Sequence, residues 1–145
     1  GSGNFSFPLA NAFHQIKIAA VELHELSVKS AQETKERQNI ANLDFHCRDV
    51  ADYLENCGSA PGTMVLLDPP RDGCTSEVIS SILKLEPESL IYISCNPVTQ
   101  ARDLKPFSDQ YDLVEIQPFD MFPQTDHVES VAVLKLNARQ RSSTH

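Results

Sequence analysis

The stretch "LIYISCNPVTQARDL", Leu90–Leu104, decides how the fold of this chain is interpreted. Its apolar, β-branched run ends at Cys95, and Asn96 and Pro97 then interrupt the hydrogen-bond ladder of a strand. A structural thiol would belong inside the apolar run, where it packs as a small hydrophobe. Cys95 instead lies where a predicted strand ends, and in α/β sheets that edge is where ligands bind.

Strand and helix alternate through most of the chain. Strands are predicted at Ile16–Glu22, Leu43–Asp49, Thr63–Asp68, Leu90–Ser94, Tyr111–Phe122 and His127–Leu136, the third of them ended by two prolines. Helices are predicted after an opening glycine turn and at Glu25–Leu43, Val50–Asn56, Ser76–Leu85 and Val98–Phe107. This alternation indicates an α/β fold with a mostly parallel sheet and helices on both faces. The last two strands, joined by the short segment Pro123–Asp126, indicate an antiparallel hairpin at one edge.

Composition limits the classes of partner. A chain of 145 residues with 41% hydrophobic content fits one globular domain. The formal net charge of −8 argues against a stand-alone nucleic-acid clamp, because phosphate neutralisation supplies most of such affinity.

The four cysteines form no C-x-x-C pair, so we expect no metal site, no disulfide framework and a cytoplasmic location. No apolar run is long enough to cross a bilayer, and the start lacks the order of a secretory signal.

The first predicted turn and the two strands after it carry groups suited to a nucleotide-like ligand. Backbone N–H groups of Gly1 and Gly3 and the amide of Asn4 can approach a ligand, although turns also use glycine for conformation alone. Glu22 ends the next strand at the spacing of a ribose-binding carboxylate, or is simply a solvated strand end. Asp49, after the following strand, faces the same edge or serves only as a helix N-cap.

Two more carboxylates and the thiol complete the candidate set. Asp68 in "LLDPPRDG" ends an apolar strand before two prolines, where it either starts a turn or meets a ligand. Glu129 alternates with Val131 and Val133, so we expect it on an apolar face, where a carboxylate indicates function. Cys95 and Glu129 near one crevice suggest a nucleophile and a general base.

Four segments occur in one order along the chain: "GSGNFSFPLA", "DPPRDG", "YISCNPVTQARDL" and "PFDMFPQTDHVESVAVL". Together they closely resemble the RNA uracil-C5 methyltransferases, which form 5-methyluridine in transfer or ribosomal RNA. The resemblance runs from the first residue to about Leu136. It implies a Rossmann-like class I methyltransferase fold, an RNA substrate and S-adenosylmethionine as the methyl donor. By this likeness Cys95 is the nucleophile and Glu129 the base, and the donor site contains Gly1, Gly3, Asn4, Glu22, Asp49 and Asp68.

The chain departs from the pattern of this family at its start. Family members carry a strand before the glycine turn and an RNA-binding region before that strand, and neither is present here. We therefore expect a catalytic domain at residues 1–136 that lacks its first central strand, and a polar, disordered tail at residues 137–145. RNA binding would need the absent N-terminal region, and the exposed sheet edges are expected to favour self-association. The roles of Arg71 and His127 stay open.

Two alternatives also remain open. The first is a non-catalytic or inactive fragment of such an enzyme, because the loss of a central strand exposes two sheet edges. The second is an amino-group methyltransferase acting on adenine or cytosine, whose corresponding strand also ends in an acidic or amide residue followed by two prolines. Such enzymes need an aromatic residue next, where this chain has Arg71, and they need no nucleophilic cysteine.

Overall fold

The computed structural model describes residues 2–58, 60–120 and 128–137, and the chain divides into two compact units, one ending at Asn56 and one starting at Cys57. The first unit contains α1 (Ser6–Ala12), β1 (Ile18–Glu22), α2 (Glu25–Gln38), β2 (Leu43–Cys47) and α3 (Val50–Asn56). β1 and β2 pair in parallel from their first residues to their last, so both strands end at the same edge. Helices, strands and the loop after α2 contribute to its buried core, which contains Ala10, Val28, Ala31, Ile40, Leu43 and Phe45.

Helix α2 is shorter than the sequence predicts. At its start the His24 ring accepts a hydrogen bond from the Ser27 N–H at 3.3 Å. At its end Asn39 adopts the left-handed conformation, with φ of 53°, and its N–H bonds to the carbonyl of Glu36. A left-handed residue terminates a helix, so the prediction that the helix continues to Leu43 is wrong.

The second unit is built on a four-stranded sheet. Its elements are β3 (Met64–Leu67), α4 (Ser76–Leu85), β4 (Ser89–Ser94), α5 (Pro97–Leu104), a 3₁₀ turn (Lys105–Phe107), β5 (Tyr111–Phe119) and β6 (Glu129–Leu136). The strands lie in the order β3-β4-β6-β5. β3 and β4 are parallel, whereas β6 is antiparallel to both β4 and β5. The final strand therefore lies inside the sheet, and its second residue, Ser130, pairs with Ser94 at the end of β4.

The α/β class, the parallel pairs and the C-terminal antiparallel hairpin are confirmed. Helices α3 and α4 have their predicted bounds. The strand predicted from Thr63 to Asp68 spans Met64–Leu67, so it ends before the two prolines, as predicted. The helix predicted to reach Phe107 ends at Leu104 and continues as the 3₁₀ turn. Pro106 accounts for this change because it has no N–H for the next α-helical hydrogen bond.

Some predictions concern parts of the chain that the structure does not describe. The connection at Pro123–Asp126, His127 and residues 138–145 of the tail lie outside the described residues. Within the described part, β1 bonds only to β2 and β3 only to β4, so each of these strands has one unpaired edge. The absent first strand and the self-association stay predictions. Among the helices that are described, none has both the length and the apolar character needed to cross a membrane.

Candidate active site

The ladder between β4 and β6 brings Cys95 and Glu129 to the same end of the sheet. Ser94 pairs with Ser130, so Cys95 follows directly beyond one partner and Glu129 directly precedes the other. Both residues are partly buried. The sequence alone did not define this register, because it left the order of the last strands in the sheet open.

Glu129 shares its side of β6 with Val131 and Val133, as the alternation predicts. These three residues are half-buried, whereas Ser130, Ala132 and Leu134 on the opposite side are buried. The carboxylate therefore lies on the more accessible face of the strand. Such a position leaves it reachable by a substrate and lowers the desolvation penalty of the charge.

The turn after Cys95 is fixed by side chains on both sides of it. Ser94 Oγ accepts a hydrogen bond from the Asn96 N–H and donates one to the Asn96 carbonyl, both at 3.0 Å. Asn96 Oδ1 caps α5 by accepting from the Val98 N–H at 3.1 Å, and Pro97 occupies the first helical position. Cys95 therefore sits immediately before the positive end of a helix dipole.

The loop after β3 is bound to this turn. The carbonyl of Arg71 accepts hydrogen bonds from Asn96 Nδ2 at 3.3 Å and from Thr99 Oγ1 at 3.1 Å. The backbone of the "DPPRDG" segment is thus held beside Cys95, and Arg71 itself is exposed.

Asp103 of α5 is the residue that fastens the rest of this loop, and sequence reasoning missed it. Its side chain is only 1% exposed. Oδ2 accepts from the Tyr92 hydroxyl at 2.6 Å and from the Cys74 N–H at 2.7 Å, and Oδ1 accepts from Arg102 Nε at 2.8 Å. Arg102 Nη2 also donates to the Asp72 carbonyl at 2.7 Å. The carboxylate thus joins α5, β4 and the loop.

Gly73 and Cys74 show how closely the loop packs on this carboxylate. Gly73 has a φ of +84°, and a Cβ there would overlap Asp103 Oδ2 and Arg102 Nη2, so only glycine fits. Burial, as the largest cause, raises the pKa of the Cys74 thiol. Cys74 is half-buried, and a thiol held protonated is a poor nucleophile, so its position favours a structural role.

In the first unit the predicted carboxylates lie at one edge. Glu22 ends β1, and Asp49 follows the end of β2 at the same edge of the parallel pair. Glu22 Oε1 accepts from the His24 N–H at 2.8 Å, and Asp49 Oδ1 accepts from the Ala51 N–H at 2.8 Å. Asp49 therefore caps α3, as the N-cap interpretation of the sequence predicts. It remains exposed.

The glycine turn precedes α1 in the same unit. Gly3 has a φ of +94°, and a Cβ there would stand 2.5 Å from the Phe7 ring, so the turn and its packing both demand glycine. Asn4 is exposed, and Gly1 lies outside the described residues. The assignment of Gly3 and Asn4 to a donor site stays a prediction.

Asp68 follows β3 in the second unit, at the strand end where the sequence predicts it. Partial withdrawal of its carboxyl from water raises the pKa of Asp68. Because Asp68 and the other predicted donor-site residues belong to different units, their assignment to one site also remains a prediction.

Comparison with known proteins identifies the family of this chain. The sequence profile of the tRNA (uracil-5-)-methyltransferase family matches residues 54–137. An uncharacterised RNA methyltransferase of Staphylococcus epidermidis is 40% identical over 134 residues, which are 90% of this chain and 28% of that protein. The crystal structure of the Pyrococcus abyssi tRNA (uracil-54, C5)-methyltransferase in complex with S-adenosyl-L-homocysteine is similar with a TM-score of 0.78 and 32% identity, covering 92% of this chain and 32% of that one.

A more distant structure supports the fold alone. TrmN from Thermus thermophilus is similar with a TM-score of 0.75 at 17% identity, over 94% of this chain and 42% of that chain. The chain thus spans about a third of the length of the Staphylococcus epidermidis protein and of the Pyrococcus abyssi protein. Since the family profile covers more than half of its residues, the chain belongs to the tRNA (uracil-5-)-methyltransferase family.

Proposed function

We propose that this chain carries the catalytic centre of an S-adenosylmethionine-dependent enzyme that methylates C5 of a uridine in transfer or ribosomal RNA through a covalent adduct with Cys95. The observation that supports the proposal most directly is the β4–β6 register, which brings Cys95 and Glu129 to one end of the ladder. The similarity to a tRNA (uracil-54, C5)-methyltransferase structure is consistent with the same chemistry.

The reaction needs one nucleophile and one separate base. The Cys95 thiolate forms a bond to C6 of uracil. The C5–C6 π electrons move towards C5 and the C4 carbonyl, and the ring becomes an enolate with electron density on C5. S-adenosylmethionine supplies an electrophilic methyl group to C5 and leaves as S-adenosylhomocysteine. Glu129 then takes the remaining proton from C5, the C5–C6 double bond re-forms, and the C6–S bond breaks to return the thiolate. Atoms and electrons therefore balance without an external oxidant or reductant.

The position of Cys95 suits the first step. An ordinary thiol, with a pKa of about 8.5, is only a few per cent ionised at neutral pH, so the attack benefits from a neighbouring positive potential. The N-terminus of α5, capped by Asn96, lies directly after Cys95 and supplies such a potential. The half-buried position of Glu129, on the more accessible face of β6, suits the later step, because the base must reach a proton on the bound ring.

The acidic edge of the first unit, defined by Glu22 and Asp49, fits part of the methyl donor. Carboxylate oxygens accept hydrogen bonds from ribose hydroxyls and from an exocyclic amine, and both carboxylates stand at the carboxyl ends of parallel strands. We propose that Glu22 binds the ribose and that Asp49 lies towards the adenine.

The substrate RNA requires a further source of positive charge. With a net charge of −8, this chain as a whole is repelled by RNA phosphates, so RNA binding needs a local basic rim or another domain. We propose that a separate RNA-binding region of the full-length protein supplies most of the affinity. The target base must also leave its stack, at a cost of roughly a few kcal/mol, and a base in an RNA loop pays less than a base in a duplex.

Trapping on fluorinated RNA tests the proposal. The full-length protein is incubated with S-adenosylmethionine and tRNA or rRNA that contains 5-fluorouridine, and covalent products are resolved on a denaturing gel. Fluorine cannot leave C5 as a cation, so the parent protein should remain bonded to RNA. Cys95→Ala should form no adduct, whereas the exposed-cysteine control Cys57→Ala should form it normally. An adduct with Cys95→Ala, or none with the parent on either RNA, would contradict the proposal.

A further inference from the structure

Gln100, in the middle of α5, is a buried polar residue that the proposed chemistry does not use. Its side chain is 1% exposed. Nε2 donates hydrogen bonds to two carbonyls, that of Tyr92 in β4 at 3.0 Å and that of Ser130 in β6 at 3.2 Å. One amide group therefore bridges the two strands that carry Cys95 and Glu129.

The bridge lies close to both of these residues in the chain. Ser130 directly follows Glu129, and Tyr92 precedes Cys95 by three residues. Buried carbonyls require donors, and the two hydrogens of a single NH₂ group satisfy both here. Because Gln100 belongs to α5, the same contact fixes the helix that follows Cys95 against the start of β6.

We infer that Gln100 is a positioning residue that sets the spacing between Cys95 and Glu129, an inference that rests on the proposed function. Attack on C6 requires only the thiolate and the target base. Proton abstraction requires Glu129 to reach C5 of a ring that is already bonded to Cys95, so it depends on the distance between the two strand ends. Misplacement by about 1 Å can cost about 100-fold in rate, so loss of the bridge slows the second step selectively.

The experiment compares Gln100→Leu, which removes both donors at similar volume, with Gln110→Leu in the full-length protein. Gln110 is a matched control because it precedes β5, and its buried Oε1 has no hydrogen-bond partner among the described residues. Gln100→Met, which is also without donors, serves as a second variant if the leucine variant fails to fold. Attack is measured as the rate of adduct formation on 5-fluorouridine RNA. Release is measured as the rate of methylated product formation from ordinary RNA.

For Gln100→Leu we expect attack within about threefold of the parent and release slower by about 10- to 100-fold, with a methylated protein–RNA adduct accumulating. Gln110→Leu should change neither rate. Equal slowing of both steps would identify a purely structural role and overturn the inference, and so would unchanged release. A parent protein that forms no adduct at Cys95 would overturn the proposed function itself, and this inference with it.

Discussion

The Cys95 end of the second unit and the acidic edge of the first unit are held by different kinds of contact. At the Cys95 end, the buried side chains of Gln100 and Asp103 join segments that are distant in sequence. At the acidic edge, Glu22 and Asp49 each bond to a backbone N–H only two residues further along the chain.

This difference corresponds to two different tasks. A nucleophile and a base that act in turn on one ring need a fixed mutual distance, which buried long-range contacts provide. Carboxylates that receive hydroxyl and amine donors need accessible oxygens, and the local bond of Asp49 to the Ala51 N–H orients that carboxylate while Asp49 stays exposed. The predictions below weaken one region or the other to test this distinction.

The largest expected effect on stability is at Asp103. Asp103→Ala leaves the Tyr92 hydroxyl and the Cys74 N–H without their buried acceptor, so the free energy of unfolding should fall by about 3 kcal/mol. Urea denaturation followed by circular dichroism measures this change. The exposed control Asp109→Ala should stay within about 0.5 kcal/mol of the parent. Equal losses for the two variants would show that the Asp103 contacts do not hold this end of the sheet.

A smaller effect is expected at the acidic edge, on binding rather than on stability. Glu22→Gln keeps an oxygen that can accept from the His24 N–H but removes the charge. Affinity for S-adenosylhomocysteine should fall about tenfold, which corresponds to about 1.4 kcal/mol. Calorimetric titration measures it, with Glu33→Gln on the exposed side of α2 as the control. An unchanged dissociation constant for Glu22→Gln would remove Glu22 from the donor site.

The smallest effect concerns the pH dependence of stability at Asp68. Asp68 is exposed, and partial withdrawal of its carboxyl from water raises its pKa, so the folded chain holds this proton somewhat more tightly than the unfolded chain does. The charged carboxylate therefore opposes folding above its folded pKa, and the penalty disappears below the unfolded value of about 3.9. Asp68→Asn should raise the melting temperature slightly near neutral pH and leave it unchanged at about pH 3. A lower melting temperature of Asp68→Asn than of the parent at neutral pH would contradict this prediction.

The positions of the candidate residues could be predicted from the sequence better than the contacts around them. Cys95, Asp68 and Glu22 are candidates because each lies at the end of an apolar strand, and strand ends are visible as a change from apolar residues to turn residues. Glu129 is a candidate because it alternates with two valines. These signals are local, and they do not depend on which strands are neighbours.

The supporting residues gave a misleading local signal. In α5 the buried positions Gln100 and Asp103 are polar and lie three residues apart, whereas the apolar Val98 is 78% exposed. A hydrophobic pattern therefore predicts the wrong buried face for this helix, because the side chains that it buries bond to carbonyls, a hydroxyl and an N–H from other segments. The end of α2 could not be predicted either. Its left-handed Asn39 follows a long polar stretch whose local pattern predicts a continuing helix.

The central claim is that Cys95 and Glu129 act in succession on one uracil ring, and Glu129→Gln tests it most directly. The full-length variant is incubated with ordinary uridine RNA and methyl-labelled S-adenosylmethionine, with Glu115→Gln, on the exposed edge strand, as the control. We predict that turnover falls by about 10²- to 10⁴-fold and that a methylated adduct bonded through Cys95 survives denaturing electrophoresis. Turnover of Glu129→Gln at the rate of the control, with no adduct, would contradict the account.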